Sequence, residues 1–265
     1  MGKIIAVTNQ KGGVGKTTTS VNLAASLVAT KRKVLLVDID PQGNATMGSG
    51  VNKHALELSS YDVLVGEVGI EEAIVSTEEA GYDLLPSNAD LTAAEVELLS
   101  QQNRERRLRD AVVDVVGSYD YIIIDCPPSL NMLTLNALVA SQAVMIPMQC
   151  EYYALEGLTA LVDTIEQVRS SLNPFLQIEG LLRTMYDPRN RLAGDVNEQL
   201  NKHFGDKLYR TVIPRNVRLA EAPSHGLPAL VYDRASRGAQ AYLALAGEML
   251  RRDNTGQGQN MAAHA

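Results

Sequence analysis

The chain has 265 residues, 45% of them hydrophobic, and a net charge of −7. That length and apolar content suit one large core, so a single domain is expected, and the acidic balance argues against a generally adhesive nucleic-acid binder. No apolar run approaches the ~20 residues of a bilayer-spanning helix, and Met1-Gly2-Lys3 leads straight into a strand pattern, so a cytoplasmic protein is expected.

In chain order, a strand pattern at 3–8 precedes a helical run at 16–29. Strand patterns follow at 33–38 and 82–86, helices lie within 90–117, and a strand at 120–125 precedes a helix at 130–140. The second half reads strand 143–148, helix 154–171, strand 176–184, helix 192–204, strand 207–213 and a last helix at 236–252. Strands that are apolar throughout are buried on both faces, which predicts an α/β fold with a mostly parallel twisted sheet and helices on both sides. Residues 1–252 form the expected domain, and the Gly/Gln/Asn-rich stretch 253–265 reads as a disordered tail. Cys126 and Cys150 lack metal-type spacing and read as small buried hydrophobes.

Between the first strand and its helix stand Gln10-Lys11-Gly12-Gly13-Val14-Gly15-Lys16-Thr17-Thr18. The glycines let successive backbone N–H groups converge on one concavity, and the helix adds its positive N-terminal end. Lys16 is placed to reach the β/γ-phosphates and the Thr17 hydroxyl to ligate Mg²⁺, so these residues read as a nucleoside-triphosphate loop. Three aspartates end or follow strands: Asp38 and Asp40 in Asp38-Ile39-Asp40-Pro41-Gln42-Gly43-Asn44, and Asp125 in Asp125-Cys126-Pro127-Pro128. Each alone reads equally well as a turn cap, but a carboxylate leaving a buried strand beside a phosphate loop is suited to holding Mg²⁺. Asp125 fits a Walker B position.

The K-G-G-x-G-K-T-T form, with its extra Lys11, resembles the deviant Walker A motif of the ParA/MinD family of P-loop ATPases. The resemblance implies that Lys11 crosses a dimer interface to the partner's nucleotide, so ATP closes a two-subunit sandwich in which Gly12 must stay free of a side chain. The D-x-D-P-Q-G-N segment resembles the family's switch I, with Asp40 orienting the attacking water, and Asp125-Cys126-Pro127-Pro128 resembles switch II. Residues 213–228 resemble the base-binding loop of chromosomal, Soj-type ParA proteins, with Pro214 and Asn216 contacting adenine. Residues 149–157 also match, and the likeness runs from Gly2 to about Leu250. It implies ATP and Mg²⁺ as cofactors, Lys11, Lys16 and Asp40 as catalytic groups, and Thr17 and Asp125 at the metal. Turnover is expected to be slow without a stimulating partner.

Within this family the switch is shared and the output differs. Residues 183–218 hold eight basic against four acidic side chains, whereas residues 1–182 hold 12 against 23. Composition alone allows either a confined anionic partner surface or ordinary solvated charges. Arg189 and Arg218 lie in the basic stretch and match the Soj-type pattern, which implies sequence-independent binding to duplex DNA, nucleoid association and a ParB-type partner. The alternative is a MinD-like membrane-associated ATPase, but the final helix reads as core packing and the tail lacks an apolar face. An iron–sulfur reductase lacks its cysteine motif here, and a ligase of this fold would need a second substrate pocket that sequence does not locate.

Overall fold

Three strands buried at every residue set the architecture: β2 (Val34–Asp38), β5 (Tyr121–Asp125) and β6 (Ala143–Met148). Such strands need cover on both faces, and the helices between them provide it. The structure, a computed structural model, describes residues 2–151 and 154–263. Its order begins β1 (Lys3–Val7), α1 (Lys16–Ala29), β2, α2 (Asn44–Gly48), α3 (Ser60–Val65), α4 (Ile70–Ala73), β3 (Val75–Ser76) and β4 (Asp83–Leu85). It continues with α5 (Leu91–Glu97), α6 (Arg107–Val112), β5, α7 (Met132–Ala140), β6, α8 (Ala154–Ser171), β7 (Gln177–Tyr186) and α9 (Arg191–Phe204). β8 (Leu208–Pro214), α10 (Val217–Glu221), α11 (Ala229–Tyr232) and α12 (Arg237–Ala263) complete it.

The eight strands lie in the order β3-β4-β2-β5-β1-β6-β7-β8, with β3 antiparallel to β4 and the other pairings parallel. Period-two alternation splits each central strand between two cores. Ile4, Ala6, Leu35, Val37, Ile122 and Ile124 face one side, which includes residues of α5 to α9. Ile5, Val7, Val34, Leu36, Tyr121 and Ile123 face the other, with α1 and α12. On α12 the buried residues Ala239, Tyr242, Leu245, Ala246 and Met249 repeat at helical spacing, and burying Leu245 or Met249 contributes roughly 1.5–3 kcal/mol each.

An edge strand exposes unpaired backbone donors, and α12 manages this at β8 with one carboxylate. Glu248 accepts from Arg210 N and Thr211 N, both at 2.8 Å, from Thr211 Oγ1 at 2.7 Å and from an Arg252 guanidinium N–H at 2.8 Å. The last helix corrects the expected boundary at 252: α12 runs to Ala263, through most of the stretch read as a disordered tail. No proline interrupts it, and Asp253 is anchored by Lys3 Nζ at 2.5 Å and Tyr121 OH at 2.7 Å.

Candidate functional site

Parallel register sets Val7, Asp38 and Asp125 level at the carboxyl edge of the sheet, where ligands of such folds bind. The chain leaving Val7 turns through Gly13 (φ 72°) and Gly15 (φ 88°), left-handed conformations that a Cβ disfavours. Gly15 is also the N-cap of α1 and offers no side-chain cap, so the first-turn N–H groups and the positive helix end face the loop. Two long-range bonds fix its shape: Thr184 Oγ1 donates to Val14 O at 2.7 Å, and Asn9 Nδ2 donates to Pro147 O at 2.8 Å. A phosphate would meet donors already aimed at it.

The two lysines of the loop stand apart. Lys16 is 7% exposed, and its Nζ donates to Lys11 O at a long 3.3 Å. Burial lowers its pKa while the charge of Asp125 opposes that change. An ammonium so weakly held can turn to an arriving anion. Lys11 is exposed and leaves the cradle altogether, its Nζ 2.5 Å from Glu151 Oε2. Both partners of that ion pair are well solvated, so it is worth at most ~1 kcal/mol and parts readily.

Asp125 is fully buried and accepts from Thr17 Oγ1 and Ser20 Oγ, both at 2.8 Å. Asp38, also fully buried, accepts from Thr46 N at 2.8 Å, Thr46 Oγ1 at 2.7 Å and Asp40 N at 3.1 Å. Burial raises the pKa of each, and their mutual repulsion adds to Asp125. Neither carboxylate has an ion pair among the described residues. A divalent cation beside Thr17 would supply the missing charge, so the residues fit Mg²⁺. Among the described residues no group of three or more His, Cys, Asp or Glu side chains could hold a metal ion. Asp40 is 6% exposed, with Gln42 N donating to its Oδ1 at 2.9 Å and Ser87 Oγ donating to its carbonyl at 2.8 Å.

Pro214 ends β8 opposite Tyr186, on the same carboxyl edge as the phosphate loop. The intervening β6 and β7 put it three strand spacings from β1, roughly 14 Å at ~4.8 Å each. Asn216 caps α10, its Oδ1 accepting from Arg218 N at 3.1 Å. A cavity of about 240 Å³ lies alongside, lined by residues that include Cys150, Met185, Tyr186 and Arg215.

The two arginines singled out for DNA both already hold acids. Arg189 grips Asp187 through Nε at 2.9 Å and a terminal N–H at 2.8 Å, and this pulls the Asp187 pKa down to about 2. Arg218 binds Glu221 at 2.8 Å and Asp233 at 3.2 Å. Arg189 remains 88% exposed, so an external phosphate can compete for it.

Several site residues escaped sequence reasoning. Ser20 carried a signal, since three residues after Thr17 on a helix it shares the same face. Thr184 carried none, and Glu151 stood in the matching 149–157 segment without a role, because their partners lie 170 and 140 residues away.

A family model described as an AAA domain matches residues 2–178. The chain is 57% identical over 249 residues to the sporulation initiation inhibitor protein Soj of Bacillus subtilis, covering 94% of this chain and 98% of that protein. It is 52% identical over 257 residues to the chromosome partitioning protein ParA of Caulobacter vibrioides, covering 96% of each. Among solved structures, cobyrinic acid a,c-diamide synthase of Mycobacterium smegmatis with bound ADP and magnesium is 39% identical, with a TM-score of 0.84 and 97% of each chain covered. The septum site-determining protein MinD of Pyrococcus horikoshii, complexed with Mg-ADP, is 29% identical, with a TM-score of 0.76 over 94% of this chain and 96% of that one. Loop, paired aspartates and full-length likeness agree: the chain belongs to the ParA/MinD family of P-loop ATPases, in its Soj/ParA chromosome-partitioning branch.

Proposed function

We propose that this protein dimerises on ATP, binds duplex DNA without regard to sequence, and leaves it when a ParB-type partner stimulates hydrolysis. The reading rests above all on Lys11, whose ammonium stands outside the cradle that Lys16 fills. A cation beside a phosphate loop but not in it is suited to a second subunit's nucleotide. Gly12 supports the same geometry, because a Cβ there meets nothing within 4 Å in the monomer. That open space leaves room for the close approach of a neighbouring subunit.

The division of work follows from the site. Gly12 to Thr18 supply the cradle, Lys16 neutralises phosphate charge, and Thr17 with Asp125 would hold Mg²⁺, which adds further neutralisation when bound. Asp40 aligns the attacking water, and Pro214 and Asn216 border the base. Arg189 and Arg218 exchange their acids for DNA phosphates. If a dimer neutralised roughly four phosphates, a fourfold rise in salt would weaken binding about 150-fold. Such contact is reversible enough to end when the dimer parts, and it would keep a cytoplasmic protein associated with the nucleoid. No helix among the described residues is long and apolar enough to cross a membrane.

The test is a gel-shift series on random-sequence duplex with Arg189→Glu and Arg218→Glu in ATP, at about 150 mM salt. Both variants should dimerise normally yet lose retention by tenfold or more. Unchanged retention in both would move the DNA contact elsewhere.

A further inference from the structure

The opposite pole of the sheet carries a second feature that the nucleotide switch does not use. A large cleft of about 2310 Å³ is lined by Lys3, Lys33, Tyr121, Gln142, Gln177 and Leu208, among others. Each of these begins or immediately precedes a parallel strand, so the cleft lies at the amino edge, about 16 Å, one five-residue strand, from the phosphate loop.

Its charges are sorted by depth. Six exposed cations line it: Lys31, Arg32 and Lys33 between α1 and β2, Lys207 and Arg210 around the start of β8, and Arg251 on α12. None of the six has a salt bridge among the described residues, unlike Arg189 and Arg218. Exposed acids in the lining are Asp120 and Asp206. The deeper carboxylates are committed to the protein itself. Glu179 and Asp253 clasp Lys3 at 2.7 and 2.5 Å, and Glu248 serves the β8 edge. Arg183, 8% exposed, also lines the cleft, and its Nε lacks a hydrogen-bond partner. On a chain of net charge −7 this is a concentrated basic recess.

We infer that this cleft receives an acidic polypeptide segment, a run of Asp and Glu from a partner protein. Shape and chemistry select that occupant among polyanions. A recess suits an extended chain better than the broad cylinder of a duplex, whose phosphates are met most readily by a convex or open face. Single-stranded nucleic acid is held by several exposed aromatic faces, and here Tyr209 and Tyr121 are 0% and 6% exposed, which leaves only the half-buried Tyr119, its hydroxyl donating to Asp83 at 2.9 Å. Carboxylates need only cations and N–H donors, which the rim and floor supply. The contact involves no residue of the phosphate loop or switches, so it stands apart from dimerisation and from the DNA reading.

The test uses the full chain without nucleotide and a fluorescent twelve-residue Asp/Glu peptide, followed by anisotropy at low and physiological salt. Saturable one-to-one binding is expected. It should weaken about tenfold or more in Arg32→Glu/Lys33→Glu and in Lys207→Glu/Arg210→Glu, and stay within about twofold in Arg189→Glu/Arg218→Glu. Thermal melts and basal ATPase of the pole variants should match wild type, so lost binding cannot be ascribed to misfolding. No binding, or binding indifferent to the pole reversals, would overturn the inference. So would displacement of the peptide by duplex or single-stranded oligonucleotide at lower concentration than unlabelled peptide, since the cleft would then be a nucleic-acid face.

Discussion

Replacing Asp125 with Asn should make the nucleotide-free protein more stable while destroying its chemistry. Asp125 is fully buried, lies in register with Asp38 and has no salt bridge among the described residues, so burial and the Asp38 charge disfavour its ionised form even with Lys16 nearby. A carboxylate in that setting costs on the order of 2–4 kcal/mol at neutral pH. Against this, Thr17 and Ser20 each donate to it at 2.8 Å, charge-assisted bonds worth roughly 1.5–3 kcal/mol each. An amide keeps one acceptor oxygen, and its NH₂ can donate to the other hydroxyl, so most of that bonding survives. The balance is a net gain of about 1–2 kcal/mol, or roughly 2–6 °C in Tm for a chain of this size.

The sign with pH follows from the raised pKa. A carboxylate whose folded pKa exceeds its unfolded one penalises folding as pH rises from the unfolded value toward the folded one. The advantage of Asp125→Asn should therefore be small near pH 4.5 and full near pH 8. Urea unfolding in EDTA at both pH values measures it. Mg²⁺ and ATP together should raise the Tm of the wild type but not that of this variant. An Asp125→Asn protein less stable than wild type at pH 8 would refute the unpaired-carboxylate argument.

Gly12→Val should fold and bind ATP as wild type does, because its Cβ points into open space, yet remain monomeric by light scattering; a stable ATP dimer would contradict the interface role. Asp40→Ala should form the ATP dimer and hydrolyse at less than a tenth of the wild-type rate, and undiminished phosphate release would reassign the water-positioning role. Glu248→Ala strips the acceptor from two edge-strand N–H groups and should lower stability by about 2–4 kcal/mol in urea melts. Burial pushes the Glu248 pKa up, but hydrogen bonds from Arg210, Thr211 and Arg252 win and hold it below the ordinary value. Its contribution is thus present above about pH 4.5 and fades as pH falls through the lower folded value, so the gap from wild type should narrow in acid.

What sequence reveals here is what is local or periodic. The phosphate loop is a contiguous run whose geometry depends on its own glycines, and the apolar strands announce their burial residue by residue. The chain order of strands and helices followed, and so did the placing of Asp38, Asp40 and Asp125 at strand ends. Short elements between 41 and 80 were not seen, although Ser59 and Asp62 form a capping box at α3 that the spacing displays. Pairings across the fold were invisible: Ser20 with Asp125, Lys11 with Glu151, Glu248 with the β8 edge. The reach of α12 past 252 was not legible, because the tie from Asp253 to Lys3 and Tyr121 depends on where the helix crosses the sheet. Composition marked residues 183–218 as net basic without deciding between a partner surface and solvated charge; both arginines chosen there are paired, whereas Lys207 and Arg210 of the same stretch meet cations from two distant segments, Lys31 to Lys33 and Arg251, at the amino edge.

Sedimentation velocity with random-sequence duplex at physiological salt, in ATP and in ADP, addresses the central claim directly because it reports assembly and DNA capture together. The account predicts a dimer that travels with DNA in ATP and a monomer that travels alone in ADP. The same sedimentation in both nucleotides, free or DNA-bound, would contradict it.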